Sequence, residues 1–501
     1  MEYPDIRTRL IEIFGSTNFS DDAGVLNTYG NSLSGTFVMP LGVVYPETRE
    51  AILKLFQFAN SEKLSLYPVA RGKNFGYGDA QGTSAGQLIV DLSRMNKILE
   101  VNEDQCYAVI QPGVSQVQMY RFLQEKKSRL QLDVTGAGLD ASICGNILER
   151  GFGHTNYGDR FSRIINMVVI TPTGQTIQTG FRGFEKADAK NTYRYGFGPV
   201  LDGIFTQSNF GIVVELTFEL MPRPERTDLF VFTTKKYDDI DKIVSVIREL
   251  KLAGVVNSAV HIANKSRAVG DKENSLAGVW NLSGGVTGSS SLVRAKRSET
   301  KRHFRKNFSG YRLVFISKFR MKVLTWIHQH LFAFNAYDSL RDIYDLQLGI
   351  PTDEPLRTLM NDETITSASI GKKEYPSCFM WVNAVCKADG ASVRKLLALL
   401  EDLFQKNNYQ FRVTFTAVNP NTLIMISNIS FPKDPANLAK ADVFFEACKK
   451  ALYQNGYFPY RSGSGTYPHL PERDEAYSEL MKGMKGLFDP GHILAPGKYN
   501  I

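Results

Sequence analysis

Two glycine-rich runs limit the fold of this chain more than any other feature. The first, Pro68-Val-Ala-Arg71-Gly72-Lys-Asn74-Phe-Gly76-Tyr77-Gly78-Asp79, directly follows an apolar run from Leu64 to Val69. The second starts at Gly136-Ala-Gly-Leu-Asp-Ala-Ser142-Ile-Cys-Gly145-Asn146 and continues to Arg150-Gly-Phe-Gly-His154-Thr-Asn-Tyr157-Gly158-Asp159. A glycine-rich turn after a strand exposes successive backbone N–H groups that can cradle a diphosphate. Glycine also lets the backbone approach a flat or phosphorylated ligand closely. Arg71 would add a charge-assisted contact. The first run matches neither GxGxxG nor GxxxxGK[ST], so it supports neither a dinucleotide-type Rossmann site nor a P-loop.

Around these runs, Phe37 to about Leu220 alternates short β-rich segments with turns and helical stretches. Gln87–Asp91 and Tyr107–Gln111 read as strands, Val114–Lys127 as a helix, and Ile164–Thr179 as a hairpin. Gly211–Leu220 is another strand, and Met221-Pro-Arg-Pro224 reads as a linker. Beyond it a strand–helix–strand order appears over Asp228–Ile262 and recurs over Phe379–Ala417. That recurrence predicts an α+β unit with an antiparallel sheet and helices on one face. Val323–Tyr337 reads as a partly buried helix.

The charge is local. The whole chain of 501 residues is +8, but 294–322 holds eleven Lys or Arg against Glu299 alone, so the remainder sums to −2. That segment reads as an insertion between the two α+β repeats. It lacks RNP-type aromatics and any recognition-helix module, so no nucleic-acid partner is expected. Its polybasic cluster runs into Tyr311–Trp326, a combination suited to an anionic membrane surface; a plain solvated insertion is the alternative. Five cysteines without a CxxC pair suggest reduced thiols. Together with the absence of a basic-then-apolar leader, this points to a cytoplasmic protein, peripheral at a membrane if the basic segment docks. His469 and His492 have no partners at metal-ligand spacing, so no metal is expected.

Two further motifs complete the set: Tyr195-Gly-Phe-Gly-Pro with Asp202-Gly-Ile-Phe-Thr-Gln-Ser-Asn209-Phe-Gly211-Ile212-Val213, and Leu494-Ala-Pro-Gly-Lys498. In this order, the four motifs resemble the vanillyl-alcohol oxidase/4-cresol methylhydroxylase family of flavoproteins. The likeness runs from about Phe37 to the C-terminus and is weakest across the basic segment. It implies a two-part FAD-binding domain from 1–222 and 456–501, with a substrate-binding cap over 223–455. It implies FAD contacts from Arg71, Gly72, Asn74, Gly76, Gly78, Gly136, Ser142, Gly145, Asn146, Asn209, Gly211, Ile212, Val213 and Lys498. It also implies an FAD-dependent oxidase or dehydrogenase, with hydride transfer to flavin N5 and oxygen or a quinone as acceptor. A homodimer fits the same resemblance.

In phenol-oxidising members two tyrosines and an arginine hold the phenolate; the matching positions here are Tyr77, Tyr460 and Arg461. The resemblance therefore implies a para-substituted phenol or a tyrosine-like natural-product intermediate as substrate. A 2-hydroxy acid with its carboxylate on Arg461 is the alternative, and a membrane-docking protein on a vestigial flavin fold is a reading of another class. Three positions depart from the family. Leu423 or Ile424 stands where many members carry the histidine that links FAD covalently, so non-covalent FAD is expected. Ala137 falls where an aspartate faces N5, with Asp133 and Asp140 displaced from it. His154 replaces a tyrosine and is either a general base, a hydrogen-bond donor beside the flavin, or structural.

Overall fold

The computed structural model describes residues 3–270, 277–309, 312–331, 337–360, 362–370, 375–464, 470–471 and 473–501. Helices combine with mainly antiparallel sheets, as the sequence predicts. Near the N-terminus, Gly42–Val44, Leu88–Asp91 and Leu66–Val69 pair in parallel, with the helix Arg49–Glu62 as crossover. The strands Gly42–Val44 and Leu88–Asp91 are buried throughout, as all-round covered parallel strands must be. An antiparallel sheet follows, in the order Ile98–Asn102, Tyr107–Ile110, Ile212–Glu219, Ile164–Ile170, Thr176–Gln178. The C-terminal segment returns to the first sheet, where the Leu66 N–H donates to the Ile493 carbonyl at 2.7 Å. The buried Lys485 ties that return together, reaching Asp489 at 2.7 Å and the Leu494 carbonyl at 2.8 Å.

The second unit is a seven-stranded antiparallel sheet ordered Arg312–Ile316, Arg226–Thr234, Trp280–Gly288, Val260–Asn264, Val413–Ala417, Thr422–Pro432, Ser377–Lys387. Helices Ile240–Leu252, Gly390–Lys406 and Pro435–Gln454 cover one face. Ile240, Ile243, Val244, Ile247 and Leu250 recur at helical spacing and are all buried against it. Side chains alternate across each strand. Val413, Phe415 and Ala417 therefore enter this core, while Thr414 and Thr416 point the other way, into a cavity.

Two expectations change here. Residues 294–322 are not an insertion hung between repeats. The helix Ser290–Asn307 buries Val293, Thr300 and Phe304, and Arg312–Ile316 forms an edge strand of the sheet. Basic residues dominate its composition, but three small or apolar positions at helical spacing decide where it packs. The helix expected over 323–337 spans Lys318–His330 and lies on the surface: only Met321 is buried, and Phe319 is 75% and Trp326 53% exposed. Residues 310–311 and 332–336 of these stretches lie outside the described residues. No described helix is long and apolar enough to cross a membrane.

Candidate active site

A cavity of about 830 Å³ lies between the antiparallel sheet of the second unit and the glycine-rich loops of the first. The loop after the strand Leu66–Val69 supplies one wall. The backbone N–H groups of Arg71, Gly72, Asn74 and Phe75 donate to no acceptor among the described residues. Uncommitted donors in a loop facing a cavity suit a diphosphate. Gly72 has φ +63°, and a Cβ there would press on Ala80 at 2.7 Å, so the turn requires glycine. Gly136, Ser142, Gly145, Asn146, Gly211, Ile212, Val213 and Lys498 line the same space. Backbone donors and closely approaching backbone along one cavity suit the diphosphate and the flat rings of FAD.

Some residues singled out from the sequence serve the scaffold. The Arg71 side chain is ion-paired with Asp140 and donates to the Gly113 carbonyl at 3.1 Å, so it clamps the two glycine-rich runs together. Gly76 and Gly78 sit behind the wall: a Cβ on Gly76 would reach Trp381 Cδ1 at 2.8 Å, and one on Gly78 would overlap the Ser464 hydroxyl. The Asn209 amide donates to the Ala495 and Ile501 carbonyls, both at 2.9 Å, anchoring the C-terminus. Asp133, buried, accepts from Thr155 and faces Arg160 at 3.5 Å; it stabilises the second run from below. Lys498 pairs with Glu149 at 2.7 Å, and Tyr499 donates to the other Glu149 oxygen at 2.9 Å. Burial opposes charge on Glu149, but Lys498, Tyr499 and Arg461 together outweigh it and hold the carboxyl below its ordinary range.

Tyr77, Tyr460 and Arg461 come together at the other end. The Arg461 guanidinium lies 4.0 Å over the Tyr77 ring and 5.6 Å from the Tyr460 ring. Asn383, which sequence reasoning missed, organises the three. Its amide donates to the Tyr77 hydroxyl and the Arg461 carbonyl, each at 3.3 Å, and its oxygen accepts the Tyr460 N–H at 3.2 Å. Burial pushes the Tyr77 hydroxyl well above its ordinary value, so it stays a donor. Burial alone would lower Arg461; Tyr460 and Tyr77 outweigh it and hold the guanidinium charged. The buried Arg461 Nε has no acceptor among the described residues. Two hydroxyls and a cation around one space form an oxyanion-binding corner.

His154 lies on the same cavity and has a partner the sequence did not name. His261 Nε2 is 3.0 Å from His154 Nδ1, and His261 Nδ1 is 3.0 Å from Thr416 Oγ1. A Cβ built on Gly136 would sit 3.9 Å from His154 Nε2, so the imidazole lies beside the backbone that leads into Ala137. Burial lowers the His154 pKa to about 4 and pushes His261 well below its ordinary value, so both rings are neutral at neutral pH. A chain of neutral imidazole, neutral imidazole and hydroxyl can pass a proton in either direction. The signal for His261 was present in Val260-His-Ile-Ala263: a histidine on the polar face of an alternating strand. Cys144 lines the cavity but is a buried thiol pushed up to about 12, too high for a nucleophile at neutral pH. Among the described residues no group of three or more His, Cys, Asp or Glu could hold a metal ion; His469 lies outside them.

Residues 40–180 match the family described as an FAD binding domain. Over 523 residues the chain is 27% identical to the 1'-carboxy-chondrochloren decarboxylase of Chondromyces crocatus, covering 98% of this chain and 96% of that protein. Over 489 residues it is 26% identical to the flavoprotein subunit of 4-cresol dehydrogenase (hydroxylating) of Pseudomonas putida, covering 92% and 88%. A crystal structure of p-cresol methylhydroxylase with substrate bound has the same fold, with a TM-score of 0.87 at 24% identity and coverage of 100% and 97%.

Proposed function

We propose that this chain is an FAD-dependent oxidoreductase of the 4-cresol methylhydroxylase type that oxidises a small para-substituted phenol or a tyrosine-like natural-product intermediate. The observation that carries this reading is the corner of Tyr77, Tyr460 and Arg461 around a buried guanidinium N–H that has no acceptor among the described residues. FAD, bound non-covalently by the loop N–H groups, Asn146 and the Lys498 end of the cavity, would accept a hydride from the substrate. Arg461 lowers the pKa of a bound phenol, and the resulting phenolate pushes electron density toward the para carbon. Tyr77, held protonated by burial, hydrogen-bonds that oxygen. His154, neutral and backed by His261 and Thr416, accepts the proton that the family's aspartate would take.

Anaerobic mixing of the holoprotein with a 4-alkylphenol tests this: the flavin absorbance should bleach. Arg461→Met should slow bleaching about 100-fold at pH 7, corresponding to roughly 2.7 kcal/mol of lost stabilisation. Its pH profile should move toward the ordinary phenol range. Bleaching by a 2-hydroxy acid and not by any phenol would overturn the reading in favour of a hydroxy-acid dehydrogenase. Recovery of colour in air, or only on adding a quinone, identifies the acceptor.

The helix Lys318–His330 supports a second element of the reading, docking to an anionic bilayer. Phe319, Val323 and Trp326 share one exposed face at i, i+4 and i+7, flanked by Lys318, Arg320 and Lys322. Apolar insertion flanked by cations is the pattern of an interfacial helix. Five unpaired cysteines suit a reducing compartment, the cytoplasm, on whose membranes anionic lipid is presented.

A further inference from the structure

The cavity carries a second cation that the phenol chemistry leaves unused. Arg267 lies on the short helix Lys265–Val269, set by the Asn264 cap that accepts the Arg267 N–H at 3.0 Å. Its guanidinium stacks 5.5 Å from the Trp381 ring and donates from Nη1 to Asn428 Oδ1 at 3.1 Å. Nε and Nη2 donate to no described group, and no carboxylate pairs with it among the described residues. Arg71, Lys498 and Lys485, by contrast, each face an acid. Burial and the neighbouring Arg412 lower the Arg267 pKa to about 10, so it remains a cation at neutral pH. A desolvated guanidinium without a counter-charge is costly unless an anion completes it, and its planar fork matches a carboxylate.

The position links Arg267 to the phenol corner. Trp381 stacks on Tyr77 at 6.3 Å and on Arg267 at 5.5 Å, steps that together place Arg267 within about 12 Å of the Tyr77 ring. The Trp381 Nε1 donates to the Phe75 carbonyl at 2.8 Å, so the indole is a fixed spacer in the wall. Arg267, Trp381 and Arg412 all line the cavity.

We propose that Arg267 is a specificity residue that binds the carboxylate of the substrate, so that the enzyme takes 4-hydroxyphenyl compounds bearing a carboxylate on a short side chain. This rests on the phenol reading above for one end of the substrate and on Arg267 alone for the other.

The test uses the FAD-loaded full chain and four probes: 3-(4-hydroxyphenyl)propanoate, its methyl ester, 4-propylphenol, and 3-phenylpropanoate, which lacks the phenol. Binding is read as perturbation of the flavin spectrum under anaerobic conditions. The acid should bind the wild type at least tenfold more tightly than its ester. Arg267→Gln should abolish that preference while leaving 4-propylphenol affinity within about twofold, and Arg267→Lys should restore part of it. Should the Gln variant not fold, the acid-to-ester ratio in the wild type and in Arg267→Lys carries the test. Equal binding of acid and ester overturns the proposal while leaving phenol oxidation intact. Arg267-dependent binding of 3-phenylpropanoate with no binding of 4-propylphenol keeps the carboxylate site and overturns the phenol reading. Failure of both carboxylates to bind overturns the carboxylate site.

Discussion

His154 can be read three ways from sequence, and a single contact separates them. Its Nδ1 pairs with His261 and its Nε2 lies beside Gly136, an arrangement that favours the proposed role in proton exchange. The pairing has a consequence for stability. With a folded pKa of about 4 against about 6.5 when unfolded, the unfolded chain binds more protons between those values. His154 therefore makes the fold less stable as pH falls from about 6.5 to about 4 and has no such effect above that window. We expect His154→Gln to gain relative to the wild type across the window, by up to about 1.4 kcal/mol per pH unit, in urea unfolding followed from pH 8 to pH 4. Parallel curves would show that His154 titrates as an ordinary histidine. Position 423 carries a second expectation. Leu423 is buried in the core of the sheet and Ile424 faces the other way, and neither side chain can bond a flavin. Acid precipitation should release the yellow colour into the supernatant, whereas a yellow pellet would require another attachment residue.

Among the elements, the helix Ser290–Asn307 shows how composition and packing can disagree. Seven of the eleven basic residues of 294–322 lie on it, yet Phe304 is fully buried between Phe232 at 4.7 Å and Phe308 at 5.7 Å. Phe304→Ala should destabilise the chain by roughly 3–5 kcal/mol. Arg305→Ala, on the exposed side, should stay within about 0.5 kcal/mol. Thermal melts of the two variants decide it: small, equal shifts would return the helix to the status of a detachable insertion. Helices and strands were legible wherever one face is apolar, as in Ile240–Leu252 and Val413–Ala417, because periodicity records burial. This helix was misread because seven basic residues mask three buried positions.

For the whole molecule, the net +8 is concentrated on one flank, beside the exposed Phe319 and Trp326. The protein should co-sediment with anionic vesicles, come off as salt is raised, and lose at least tenfold in recovery for the Phe319→Ala, Trp326→Ala double variant. Equal, weak recovery on neutral and anionic vesicles would contradict docking. The amino-acid sequence by itself determined the glycine-rich loops and the antiparallel sheet of the second unit, and its resemblance to a known family pointed to Tyr77, Tyr460 and Arg461. These depend on local backbone conformation, on alternation, or on motifs that carry their own context. Only the tertiary structure decided that Arg71 is spent on Asp140, that His261 stands behind His154, and that Arg267 lies beside Trp381 with no carboxylate partner among the described residues. A strand pattern tells which face a side chain occupies. Which charge or ring stands opposite depends on sheet order and loop return, and residues more than a hundred positions apart, such as His154 and His261, meet only when the two units close over one cavity.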